Sequence, residues 1–166
     1  MSMKTRIFLV MLGFVVLCVG VALYLVDRPP EDTYFVYRSL KGLSFHGDVP
    51  ALFGMLGNFL PGFVHPFSFS LITAGILAPE RRGKIAICLF WLATNALFEA
   101  GQHFKDFASS LVPGWFDGIP YLENTAGFFI HGSFDWCDIA AIVSGSCLAL
   151  FILITLDRMN RASPHC

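Results

Sequence analysis

The chain has 166 residues, of which 55% are hydrophobic and only 14% charged, with a mean hydropathy of +0.66. That apolar excess and scarcity of charge point away from a water-soluble domain and towards an integral membrane protein, within the length of a single domain, 1–166. The formal net charge of −1, without a basic cluster, argues against a nucleic-acid partner.

Lys4 and Arg6 precede an uncharged run at 7–26, which meets the about 20 residues that a bilayer span needs. The run is too long for the apolar core of a signal peptide, and no small-x-small cleavage site follows before Asp27. It reads as an uncleaved first span. Residues 27–48 are polar, Pro29-Pro30 stops the helix, and FVYR at 35–38 suggests an interfacial loop.

No charge occurs from 50 to 78, but Pro61-Gly62 and Pro66 interrupt the run. The expected arrangement is a short lead-in at 51–59 and a second span over 58–78. Asn58, Gly62 and His65 fall at i, i+4 and i+7, giving one polar or small face. PERRGK at 79–84 is a basic turn, and the third and fourth spans cover 85–102 and 135–156. The long outer loop between them contains Pro113-Gly114-Trp115 and Pro120-Tyr121, and Trp115 and Trp136 suit interfacial anchoring. The fold class expected is an all-α, polytopic membrane helical bundle with four transmembrane helices.

The five cysteines (Cys18, Cys88, Cys137, Cys147, Cys166) have no CxxC spacing, and their odd count and scatter argue against a disulfide framework. Seven lysines and arginines fall at the N-terminus, the 79–84 turn and the tail, against four in the two opposite loops. Both termini are therefore expected in the cytoplasm.

FEAGQ at 98–102 is the stretch that membrane filling does not explain. Glu99 and Gln102 share a helix face, and Asn95 extends the stripe by one turn. A carboxylate near a helix C-terminus opposes the macrodipole, and an ionisable group at the edge of a span marks a functional site. Antiparallel connectivity puts Asn58, His65, Asn95, Glu99, Gln102, Asp135 and Asp138 in one leaflet. Ala141, Gly145 and Ala149 form a small-residue face for close helix contact, with Asp138 on it. Simpler readings stand beside these. Asp135 and Asp138 fit an N-cap and a first-turn carboxylate, and Asn95 and Gln102 fit interhelical hydrogen bonding. His65 fits a donor to a carbonyl freed by proline. His103 and His131 fit a surface loop.

At these residues the sequence resembles the VanZ-like family of small membrane proteins over 51–156. The resemblance rests on E-x-x-Q at Glu99 and Gln102, Gly132 before D-x-x-D at Asp135 and Asp138, and a looser echo in NFLPGF at 58–63 with His65-Pro66-Phe67. It departs at Ser133, where an arginine is common, at Ile142, where an asparagine is expected, and in the longer loop before Gly132. The chain thus looks like a divergent member. The family name, taken from glycopeptide antibiotic resistance, implies a cell-envelope role in a plasma (inner) membrane.

Three functions remain open on the sequence. The favoured one is an outer-leaflet pocket binding a lipid head group or a lipid-linked envelope precursor through the seven polar residues. The second is a membrane hydrolase or transferase with Glu99 and Asp138 as the catalytic acid–base pair. A metal-assisted version would recruit His65, Glu99, His103, Asp135 and Asp138, although no HxxxH or HExxH spacing supports it and the cofactor stays unknown. The third is a structural or assembly partner.

Overall fold

The computed structural model describes residues 1–30 and 42–162; FVYR at 35–38 and Cys166 lie outside the described residues. Four helices are long and apolar enough to cross a membrane: α1 (Met3–Val26), α2 (Leu56–Leu77), α3 (Arg81–His103) and α6 (Trp136–Ala162). Between α3 and α6 lie two short helices, α4 (Lys105–Ser110) and α5 (Thr125–His131), with 3-10 turns at Gly114–Phe116 and Leu122–Asn124. Among the described residues there is no strand.

Three boundaries differ from the sequence expectation for one reason, the first being the start of α1 at Met3, ahead of the apolar run at 7–26. Hydropathy marks the hydrocarbon slab, whereas a helix continues past it while its backbone bonds are made. So α3 starts at Arg81, within the basic turn, and α6 continues to Ala162. The lead-in at 51–59 is not a separate segment: α2 starts at Leu56 and runs unbroken through Pro61 and Pro66. Pro61 has no N–H for the carbonyl of Gly57. Arg28 supplies the missing donor, its Nη2 reaching Gly57 O at 3.3 Å and Asn58 O at 3.2 Å.

Helix α2 is the centre of the bundle. α1 runs antiparallel to it, and is tied to it at both ends. Arg6 donates to Gly75 O (3.1 Å) and Ile76 O (2.8 Å), two carbonyls in the last turns of α2 that lack helical partners. Asp27 accepts from the backbone N–H groups of Leu52, Phe53 and Gly54 just before α2 begins. Between those ties, glycines bring the backbones together: a Cβ on Gly13 would lie 2.8 Å from Ser68 O, and one on Gly75 2.7 Å from Val10 Cγ2.

On its other side α2 meets α6, which runs parallel to it. The small face of α6 makes this contact. Ala141 packs at Gly62, Gly145 lies against the Phe63 carbonyl with no room for a Cβ, and Ala149 is fully buried. Towards the end where α2 finishes, Leu9, Phe67, Leu71, Ala74, Cys88, Ala149 and Leu153 form the apolar core. α3 closes this end through Lys84, which is 1% exposed and bonded to Asp157 at 2.6 Å. Farther along, Trp91 Nε1 donates to Thr73 Oγ1 at 3.1 Å. The α1 start, the 78–80 turn and the α6 end thus share one end of the bundle, as the Thr5–Asn160 hydrogen bond also records.

Gly145 tests this packing. Gly145→Ala forces a methyl group onto the Phe63 carbonyl and is expected to cost about 1–3 kcal/mol in detergent unfolding, the usual range for overpacking. Gly127→Ala, whose added Cβ would meet only His131 Cδ2 at 4.0 Å, is expected to leave stability equal or higher. Equal losses for both would show that α2 and α6 do not touch at Gly145.

Candidate functional site

The opposite end of the bundle, where α1 and α3 finish and α2 and α6 begin, is filled differently. Gly20 and Gly62 are close-contact positions here as well, where a Cβ would lie 3.0 Å from Val64 Cγ1 and 3.2 Å from Asp138 O, yet beside them the helices line a cavity of about 1050 Å³. That is at the upper end of the range for small-molecule sites.

All seven residues singled out from the sequence line this cavity. Asn58 and His65 come from α2, Asn95, Glu99 and Gln102 from α3, and Asp135 and Asp138 from the start of α6. Glu99 is only 9% exposed, and its Oε1 accepts the backbone N–H of Asp135 at 3.0 Å. Asp135 in turn accepts the Cys137 N–H at 2.8 Å, so it is the N-cap of α6 as well as a cavity residue. The last turns of α3 therefore clasp the first residue of α6. Glu99 does act on a helix end, but on its neighbour's N-terminus rather than on its own C-terminus.

Gln102, 8% exposed, lies against Gly132, where a Cβ would come within 2.6 Å of its Cδ. Asn95 spends its amide on Trp91 O, one turn back, at 2.8 Å. The His65 ring, which lines the cavity, stacks on Phe69 at 5.9 Å, and Phe69 on Trp91 at 4.8 Å, so an aromatic column joins α2 to α3. His131 also lines the cavity, whereas His103 lies outside it, packed on Phe104 and Phe134. Trp115 and Trp136 are exposed. Among the described residues no three His, Cys, Asp or Glu side chains are grouped closely enough to hold a metal ion.

Sequence reasoning missed the contribution of α1. Tyr24 and Arg28 line the cavity, with the guanidinium 5.3 Å from the Tyr24 ring centroid in a cation–π contact. A count of the carbonyls freed by Pro61 would have called for a donor, and Arg28, next to the first span on the same side, was available to supply it. Among the described residues lining the cavity, Arg28 is the single lysine or arginine, against four carboxylates, Asp27, Glu99, Asp135 and Asp138. At the rim, partial desolvation pushes the Asp27 carboxyl up, but three backbone N–H donors and His46 outweigh it and hold it below its ordinary range.

No family model, curated protein or solved structure matches the chain. Fold and site together define a class: an all-helical protein with four helices long and apolar enough to cross a membrane, and a polar cavity at one end.

The Glu99 clasp separates two variants. Glu99→Ala removes the acceptor of the Asp135 N–H and is expected to lower stability by about 0.5–1.5 kcal/mol, the usual net worth of one hydrogen bond, whereas Glu99→Gln keeps an acceptor there and loses less. Unfolding in detergent measures both. Identical stabilities for the two variants would mean that Glu99 does not hold α6.

Proposed function

We propose that this chain is a multi-pass plasma (inner) membrane protein, with both termini in the cytoplasm, that binds the head group of a membrane lipid or lipid-linked glycan in its polar cavity. The observation that carries this reading is convergence. Residues from all four long helices, from Leu17 to Ile142, line one cavity next to the ends of apolar helices. The excess of lysine and arginine at the other end supports the orientation, which places the cavity in the outer leaflet. The VanZ-like resemblance at Glu99, Gln102, Asp135 and Asp138 supports an envelope role.

Charge narrows the head group. Asp27 and Glu99 are already engaged by backbone N–H groups, and Arg28 by two carbonyls, so the cavity offers acceptors in excess of free cationic donors. Acceptors bind hydroxyl and amine groups and repel phosphate oxygens. A hydroxyl-rich head group such as a sugar fits best. The fixed hydrogen bond on Glu99 also suits a binding wall better than a proton-transfer group.

The test is saturable binding in nanodiscs. A monoglucosyl diacylglycerol is expected to bind more tightly than phosphatidylglycerol. Asp138→Asn is expected to weaken the glycolipid about tenfold, the worth of one hydrogen bond to a charged group, without moving the unfolding midpoint. Equal affinities for the two lipids, or an Asp138→Asn variant that binds as wild type, would remove this reading.

A further inference from the structure

A second compartment lies beside the cavity and takes no part in polar recognition. It is an apolar groove of about 390 Å³ between the end of α3, α4, the turn that follows it, and α5. Phe104, Phe107, Leu111, Phe116 and Phe129 form its walls, and among the described residues no charged side chain lines it. Thr125, the single polar residue among the described residues that line it, donates its hydroxyl to Leu122 O at 2.7 Å.

One layer of rings separates the two compartments. Phe128 lines the polar cavity, Phe129 lines the groove, and Phe98 lines both. Their centroids lie 5.5 to 5.8 Å apart in each pairing, so the three rings form a continuous partition. Phe98, 40% exposed, is the side chain that borders both compartments. A polar chamber joined to an apolar one around a single side chain has the outline of an amphiphile.

The chemistry of the walls decides between occupants. A peptide segment would bring amide groups into a groove without donors or acceptors to meet them, which is costly. Water would find no polar partners there either. A hydrocarbon chain brings no polar group and loses nothing.

We propose that the groove seats the alkyl or acyl chain of a ligand whose hydroxyl-bearing head occupies the cavity, the two parts meeting around Phe98. This rests on the head-group reading of the cavity and adds a chain-binding subsite to it. The ligand class becomes a neutral glycolipid or similar polyol amphiphile, held by both halves, rather than a free sugar.

The experiment uses the full chain in nanodiscs and a homologous series of β-D-glucosides from butyl to decyl. Leu111→Trp narrows the groove from an exposed position (64% exposed), so it does not press on the core. Val112→Trp is a second groove variant, Glu99→Gln reports on the cavity, and unfolding midpoints confirm that each variant is folded. Chain-length-dependent partitioning into the bilayer is common to all proteins, so the ratio of wild-type to variant affinity isolates the groove. That ratio is expected to grow with chain length for the two tryptophan variants, reaching on the order of tenfold for the decyl compound, the worth of about two buried methylenes. Glu99→Gln is expected to weaken every member of the series by a constant factor. A flat ratio for the tryptophan variants, with Glu99→Gln still weakening all members, overturns the groove and leaves the cavity reading standing. A growing ratio with no effect of Glu99→Gln keeps the groove and removes the cavity reading. No saturable binding at any length overturns both.

Discussion

The bundle depends on α2 remaining one helix despite two prolines. Pro61 breaks the bond to Gly57 O, and in an apolar environment an unanswered carbonyl is costly. Arg28 answers it from the end of α1, and Asp27, its neighbour, takes the three N–H groups just ahead of α2. The repair of α2 thus draws an arginine into the cavity and fixes the end of α1 beside it. One guanidinium serves both the backbone of α2 and the electrostatics of the site.

The two ends of the bundle then diverge for a packing reason. Helices in a membrane gain little from hiding apolar surface from one another, so contact relies on small residues that let backbones approach. At the basic end, glycine contacts with α1 combine with Leu71, Ala74 and Leu153 to leave no space. At the other end, glycines at 20 and 62 still permit approach, but the side chains between the helix ends include Asn58, His65, Glu99, Gln102, Asp135 and Asp138, which do not interdigitate as an apolar core does. The cavity is the volume they do not fill. Glu99 ties the start of α6 to the last turns of α3 beside it, its Oε1 accepting the Asp135 N–H.

Much of this was legible in the sequence. Four apolar runs gave the four long helices, and antiparallel connectivity placed Asn58, Glu99 and Asp138 at one end before any packing was considered. The spacing of Ala141, Gly145 and Ala149 pointed to the helix face that meets α2. Three things were not legible. The helix ends ran past the apolar runs at Arg81 and Ala162, because hydropathy reports the membrane and not the hydrogen-bond ladder. The partner of Glu99 is a backbone N–H on another helix, which carries no residue-type signal. With 18 phenylalanines in the chain, nothing in their spacing distinguished Phe98, Phe128 and Phe129, which partition two compartments, from those that face outward.

The central claim is that the space between Glu99 and Asp138 holds a head group. A glycolipid carrying a photoreactive diazirine on its sugar, cross-linked to the protein in nanodiscs and mapped by mass spectrometry, tests it most directly. The account predicts labelling of peptides containing 95–102 and 135–142, suppressed by excess unlabelled glycolipid. Labelling confined to the outward flank of α1 around Phe8, Met11 and Phe14, or labelling that competitor does not suppress, would contradict it.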